Sequence, residues 1–501
     1  MLCLRAAPLL VLGLFAGPAF AELTAEDVWQ SWQGQFSQYG YEITGTPREG
    51  AGGLVIPDLG LTQELPDGGG RVEMRMGRIE LGETGDGTVE VVYPPTMPMA
   101  VAVTPTDDEP LTAVLTLSHD DLSITASGTP DEIDYDYAAR SMRIAIGGVT
   151  HGGAPIESLT GSLRLEDFEG TTTTRLVEGM RRVAQTLSSG PVSYAFNLVD
   201  DETGAVFDFA GDAESMRHES RVDMPEGGDL SDMAAALGNG FRVETDLAFG
   251  AGTGRFDFAE NGERITGNSQ SERVSIDGSF SRDGLIYESD AVGLVVNTEA
   301  GMFPMPVTYA IDRAFARLEL PVSQGDELQD FGLSLDLAGV DLPEVLWSLI
   351  DPEAALPRDP AHLALDLTGK ARLTTNIFDE AEIAALEQSG ESPGELDSLA
   401  LNKLMLSVAG ARLTGEGAIE IETTEGLDVP PAEGIIDLRL EGGEGLLDKL
   451  VALGLVPEDQ AMTARMMASM FAQPVEGEDT LTSRVEIRKD GTVTVNGQRM
   501  R

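Results

Sequence analysis

Beyond Tyr41 the dominant hydrophobic period is two. Val72, Met74 and Met76 alternate with charges, and Ile79 and Leu81 resume the alternation in the opposite parity, which places an irregularity at Gly77. Val89 and Val91 follow a Gly85-Asp86-Gly87 turn, and pairs such as Leu115 and Leu117, Ile144 and Ile146, Phe207 and Phe209, Phe256 and Phe258, and Leu318 and Leu320 extend the pattern. About two dozen such segments, punctuated by Gly, Asp-Gly, Asn-Gly and Pro, predict antiparallel sheet with one wetted face. Helical stretches do not alternate with strands, so a parallel α/β architecture is disfavoured.

Helices are few. Thr24-Ala25-Glu26-Asp27 has capping-box form, and Val28, Trp29, Trp32, Phe36 and Tyr39 follow at three- and four-residue spacing before Gly40, which predicts one amphipathic helix. Its tryptophan stripe is expected to pack on a sheet, because its polar side carries Glu26, Gln33 and Gln38 without Lys or Arg for lipid headgroups. Five later helices are predicted over 229–241, 341–350, 379–388, 445–455 and 458–472. In the second half Leu333-x-Leu335-x-Leu337-x-Gly339 recurs at Leu363 to Gly369, Leu404 to Gly410 and Ile436 to Gly442. The irregular spacing suits a repeatedly folded sheet better than a strict solenoid, with coincidence in a glycine-rich β protein as the competing reading. The predicted fold is therefore mainly β, a large antiparallel twisted sheet or β-groove in two modules with a few short peripheral helices, the modules being 22–225 and 226–501 and dividing near Pro225-Glu226-Gly227-Gly228.

Composition narrows the function classes. The 501 residues contain 85 Asp plus Glu against 33 Lys plus Arg, a formal charge of -52. Such an excess repels phosphate backbones, so binding to nucleic acid is not expected. Residues 1–21 read as a cleavable secretory signal: Arg5, an apolar run from Ala6 to Phe15, then Ala19-Phe20-Ala21. Interrupted by Pro8 and Pro18, the segment is short of the roughly 20 residues that span a bilayer, and no transmembrane segment is expected after cleavage following Ala21. The lone cysteine, Cys3, lies inside the signal. The mature chain would lack disulfides and suit an oxidising compartment, the periplasm.

A search for chemistry finds none that stands. Gly390-Glu391-Ser392-Pro393-Gly394 matches the nucleophile-elbow pattern, but the last histidine, His362, precedes it, whereas that fold needs one after. His119, His151, His218 and His362 are scattered without metal-ligand spacing, and the acid clusters 131–136 and 200–202 lack the ligand order of a calcium loop. Gly250-Ala251-Gly252-Thr253-Gly254 is expected as a hairpin turn between two phenylalanine-bearing strands. No catalytic, cofactor-binding or metal site is assigned, no cofactor is expected, and the chain is read as non-enzymatic. One apolar feature remains. On the last helix Met462, Met466 and Met470 lie four apart, widened by Met467 and Phe471. Core packing is the ordinary use of such a stripe, and a polarizable surface for an apolar ligand is the functional one.

A resemblance is carried by the late segments. Leu346-Trp347-Ser348-Leu349-Ile350-Asp351-Pro352, then Leu356-Pro357-Arg358-Asp359-Pro360 and the Leu363 strand, are similar to domain-of-unknown-function family 2125 of alphaproteobacteria, as are Gly415, Gly417, Gly434, Leu446 to Leu455 and the Asp490-Gly491 hairpin in their order. The Trp29 helix and the Met97-Pro98 strand entry are similar too. More distantly the C-terminal half resembles the β-rich AsmA-like envelope proteins, some of which are thought to carry lipid along an apolar groove. The resemblance implies no catalytic residues. Arg358 and Asp359 are read as part of a rigid joint between a helix and a strand, with a recognition patch as the alternative.

The leading expectation is a periplasmic envelope protein that binds a lipid or other apolar ligand in a β-sheet groove. The alternative is a structural or assembly partner of envelope proteins without ligand, and the third reading is a periplasmic hydrolase. The basic segment 482–501 is expected as a solvated hairpin. Loss of Arg5 with the signal takes the charge to -53 on 480 residues (501 less 21). The acids fall at polar positions of the strand period, as in Leu335-Asp336-Leu337, which makes them a solvated coat. Its self-repulsion is screened over about 10 Å at 0.1 M salt and about 3 Å at 1 M. Dialysis from high to low salt is therefore expected to lower the melting temperature, and unchanged melting would refute the repulsive coat.

Overall fold

The computed structural model describes residues 22–65, 69–200, 203–227, 230, 232–301, 305–422 and 430–500. The expected signal, 1–21, lies outside the described residues, as do Gly228 and Asp201 and Glu202. The protein is mainly β, one large antiparallel sheet with six short helices among the described residues: α1 (Ala25–Gln38), α2 (Met233–Gly238), α3 (Glu344–Ile350), α4 (Glu380–Ser389), α5 (Gly443–Ala452) and α6 (Glu458–Phe471).

The sheet is a meander of long legs, and through most of the molecule each leg bends once. Strand Glu132–His151 pairs over its first half with Ser123–Thr129 and over its second half with Leu111–Asp120. Strand Thr160–Val177 likewise divides between Met180–Ser189 and Val192–Val199. The same division runs on to Gly284–Ala300, which meets Arg273–Ser281 with one half and Glu263–Ser271 with the other. The bends align from leg to leg, so the sheet is creased into two wings. Wing A contains Met180–Ser189, Met216–Pro225, Arg242–Phe249 and Arg273–Ser281; wing B contains Val192–Val199, Val206–Ala213, Gly252–Glu260 and Glu263–Ser271.

Residues at the crease leave the hydrogen-bond ladder. Arg140 and Asp167 are skipped between the pairs Ala139–Phe168 and Ser141–Glu166, and Gly293 and Asp312 are skipped between Val292–Arg313 and Leu294–Ile311. Asp121, Asp167 and Gly293 have φ of 55°, 48° and 65°. A left-handed residue turns the strand and changes the parity of its apolar face, from Leu163 and Leu165 to Phe168 and from Tyr287 to Val296. The parity change read at Gly77 is this crease, lying between strands Gly70–Met76 and Ile79–Glu83. Gly250-Ala251 is another corner. The hairpin expected there does not form: Arg242–Phe249 and Gly252–Glu260 pair with different neighbours because the leg passes from one wing to the other.

Both apolar faces point into the fold of the crease. At the N-terminal end α1 fills the space between the wings, and its Val28 and Trp29 share one buried cluster with Ile79, Leu81, Ile133 and Tyr135 of wing A and with Leu59, whose partner Met76 also packs there. Thr24 caps α1 with the predicted capping box: its side chain accepts the Asp27 amide, and the Asp27 carboxylate accepts the Thr24 amide at 3.0 Å.

The division expected near residue 225 falls in the connection that carries α2, and Met216–Pro225 pairs with Arg242–Phe249 on its far side, so the two halves share one sheet. Wing B ends with Val307–Leu320. Asp341 bridges to Ala310 there, and the chain then turns into α3, which packs with α5 around Trp347, Leu356 and Ala409. The joint after α3 is structural. The buried Asp351 carboxylate accepts the amides of Ala355 and Leu356, both at 2.8 Å, while Arg358 bonds to the Asp351 carbonyl and to Glu344 and lies over the Trp347 ring. The four glycine-terminated repeats are strands of wing A, with left-handed glycines at Gly339, Gly410 and Gly442.

On the outer face acids and arginines interleave. Arg317 bonds Glu288 and Glu319, each at 3.1 Å, and Asp290 accepts from Arg313 at 2.8 Å. Asp246 and Asp277 face each other across neighbouring strands. The hydrogen bond between them, with burial, raises Asp277 to about 6. A raised folded-state pKa stabilises below the unfolded value of about 3.9 and loses that contribution as pH climbs through about 6. Asp277→Asn is expected to flatten the dependence of melting temperature on pH between those values; a curve parallel to the parent would refute the shared proton. At the crease, a side chain on Gly293 would sit 2.6 Å from Glu272 Cγ. Gly293→Val should cost at least about 1–2 kcal/mol from the backbone alone, read by denaturant unfolding, and an unchanged midpoint would refute a crease that needs glycine there.

Candidate functional site

The candidate site is the trough between the wings. In wing A apolar side chains stand opposite one another from strand to strand: Tyr287, Leu318, Leu333, Leu367 and Leu401 form one row, and Leu335, Leu365 and Leu404 lie in the next. In wing B the rows are aromatic. Phe196, Phe209 and Phe256 are successive partners, as are Leu198, Phe207, Phe258 and Ile265. The rings touch, with centroids 5.3 Å apart for Phe196 and Phe209 and 5.1 Å for Phe207 and Phe258. Glycines alternate with these rings because the strands leave no room beside them: a side chain on Gly267 would meet the Phe256 ring at 2.6 Å.

The residues beside the crease are buried and those up the wall are partly open: Val192 is 2% exposed, Tyr194 41%, Phe209 38% and Phe207 48%, with Phe196, Leu198, Phe256 and Phe258 half-buried between them. The trough is thus dry beside the crease and open along much of its walls, except at the rim of wing A where α2 and Ile377 cover Val243, Phe280 and Leu285, although every wall strand has its ladder partners. Monomeric proteins rarely leave so extended an apolar surface uncovered unless something binds it. Beyond the earlier creased legs, eight more, from Glu132–His151 to Val307–Leu320, carry both wings; at roughly 4.8 Å between strands this part of the trough is about 34 Å long. A bilayer's hydrocarbon core, two acyl chains deep, is about 30 Å. One chain laid lengthwise is accommodated.

The methionine stripe lies elsewhere and is open to solvent. Met462 is 65% exposed and Met466 61%, with Met467, Met470 and Phe471 also exposed, so packing against the sheet is not what these side chains do. Helix α6 ends at the last full strand, Thr480–Ile487: the Phe471 carbonyl accepts from Ser483 Oγ at 2.6 Å and from Asn496 Nδ2 at 3.1 Å. The remaining sequence candidates are scattered. Ser392 sits in the exposed connection between α4 and strand Gly394–Val408. His362 bonds Asp336 on the outer face at 2.7 Å, and His119 Nε2 bonds the Pro94 carbonyl at 3.1 Å. Among the described residues no group of three or more His, Cys, Asp or Glu is arranged to hold a metal.

The trough residues were readable as strand residues but not as a surface. The signal available was a mismatch: a sheet with one apolar face along its length, and helices too few and too short to cover it. Among the described residues no helix is long and apolar enough to cross a membrane. A family model described as an uncharacterized protein conserved in bacteria, domain of unknown function 2125, matches residues 248–500. No curated protein matches the chain.

Proposed function

The chain belongs to domain-of-unknown-function family 2125, and we propose that it is a non-catalytic periplasmic protein that holds an acyl-chain ligand in the trough between its wings. The single observation behind this reading is the run of half-exposed Leu, Phe and Tyr side chains that continues from strand to strand along both inner faces. Each methylene that leaves water for such a surface gains about 0.8 kcal/mol. About ten of them would supply about 8 kcal/mol, the free energy of a micromolar complex before the cost of ordering the chain. The outer coat of carboxylates supports a ligand enclosed by the protein rather than a protein adsorbed to anionic headgroups.

Placement in the periplasm rests on the sequence of residues 1–21. An assembly role is the second reading, and the exposed methionines of α6 favour it, since a Met-rich helix face adapts to varied partners. Native mass spectrometry of the exported protein separates the two. Lipid adducts are expected on the parent, and the double variant Phe207→Asp, Phe258→Asp is expected to lose them while keeping its far-ultraviolet dichroism. A delipidated parent with no adduct, captured instead in stoichiometric crosslinks through Met462 and Met466, would replace the carrier reading with the assembly one.

A further inference from the structure

Helix α1 does not lie flat on wing A along its whole length. Below Trp32, Gln35 and Tyr39 is a chamber of about 350 Å3, floored by inner-face residues of six adjacent strands from Val91 to Val222. That volume lies within the range of small-molecule sites. Near the rim Val222, Val243 and Phe280 are packed against Ala236 and Leu237 of α2, and the floor continues into the trough on the crease side, where Ser220 faces Thr245 and Thr245 faces Gly278.

The lining has an unusual composition. In a chain with 85 carboxylates, no Asp, Glu, Lys, Arg or His among the described residues lines the chamber. It is nonetheless polar, with four tyrosine hydroxyls, the hydroxyls of Thr172, Thr174 and Ser220, and two glutamine amides. Several of these groups keep hydrogen-bonding capacity. Trp32 Nε1 donates to Tyr135 Oη at 3.1 Å, so the Tyr135 proton is left to donate elsewhere. Gln185 Nε2 donates to Thr172 Oγ1 at 3.1 Å, which leaves its carbonyl oxygen as an acceptor. Burial pushes Tyr135 up to about 12 and raises Tyr93 and Tyr137 as well, so these phenols remain protonated donors at neutral pH. Arg181 borders the chamber, its charge acting on Tyr135 and Tyr39, but it lines the neighbouring cavity, where Gln38 Oε1 holds it at 2.7 Å and the Glu226 charge balances it.

Charge matching excludes the common headgroups. A phosphate or carboxylate here would give up its hydration with no cation in the lining to meet it, the neighbouring Arg181 being tied to Gln38 and balanced by Glu226, and that is costly for any buried ion. The aromatic walls offer a choline group a cation–π contact, but its phosphate would come with it, unpaired. An ester carbonyl or a hydroxyl needs only what the lining has: neutral donors and acceptors at the head of an apolar channel.

We infer that the chamber beneath α1 takes the uncharged polar end, an ester or hydroxyl group, of a neutral lipid whose hydrocarbon runs down the trough. This rests on the carrier reading and adds the class of ligand and its direction. Trp32 roofs the chamber and serves as the probe. The full mature chain is mixed, in dilute detergent, with diacylglycerol brominated beside the ester, or with phosphatidylglycerol or phosphatidylcholine brominated at the same place. The diacylglycerol is expected to quench that part of the tryptophan emission which Trp32→Phe removes, and the two phospholipids to leave it unchanged. Tyr135→Phe and Gln185→Leu should each weaken diacylglycerol quenching about fivefold, the worth of a neutral hydrogen bond of about 1 kcal/mol, with the dichroism spectrum retained. Equal or stronger quenching by either phospholipid overturns the neutral-ligand inference. So does lipid that native mass spectrometry finds on the protein while no brominated lipid quenches Trp32, because the ligand then sits elsewhere in the trough. If no lipid of any kind binds, the carrier reading itself falls.

Discussion

Everything in this molecule depends on a bend repeated at the same height in each leg of the meander. A strand of the length of Glu132–His151 would, if straight, span about 65 Å, and a sheet of such strands would present one broad apolar face to water with too few helices to cover it. Bending each leg at a residue that leaves the ladder folds that face onto itself. Because the residue at the bend adopts a left-handed conformation at Asp121, Asp167 and Gly293, the side chains change parity as the backbone changes direction. Hydrophobic residues on both limbs then turn toward the same interior. The crease is both a geometric hinge and the point at which the sequence pattern shifts by one.

Much of the architecture was therefore legible, though in an indirect form. The period of two, the turn residues and the boundaries of α1, α3, α4 and α6 follow from local rules that the structure obeys. The shift between Met76 and Ile79 was visible as an irregularity, but an isolated bulge and one element of an aligned series look identical from a single strand. At Gly250 the same ambiguity points the other way, since a glycine-rich corner between two wings has the composition of a hairpin turn. What separates them is which strands pair, and pairing is settled by residues far away in sequence. The trough was illegible for a related reason: Phe207 and Phe209 have the pattern of core residues, and only the absence of a second layer over them among the described residues makes them a surface. The methionines of α6 had the opposite fate, having the pattern of core residues and none of the cover.

The two faces of the sheet divide the physics. Outside, carboxylates meet arginines in exposed pairs whose individual worth is small, and their collective effect is repulsion between molecules and from anionic surfaces. Inside, charge is almost excluded; Arg181, tied to Gln38, stands out because it faces inward. The ends of the interior differ as well. One is closed by α1 and its aromatic residues, and at the other wing B has stopped while wing A runs on beneath α3 and α5.

The meander has a consequence for how the chain acquires this shape. Each leg pairs with the leg made just before it, in both wings, from Glu42–Thr44 and Arg48–Gly50 to Thr480–Ile487. Long-range pairing is what slows the folding of most β proteins, and here the separations stay within one or two hairpins. The closed end, with α1 seated between the first legs, involves residues 23–137 and can consolidate before the remainder of the polypeptide has arrived. Each later hairpin then finds a completed edge waiting for it. The sheet grows in one direction by accretion, and its open edge is at every stage the template for the segment about to arrive.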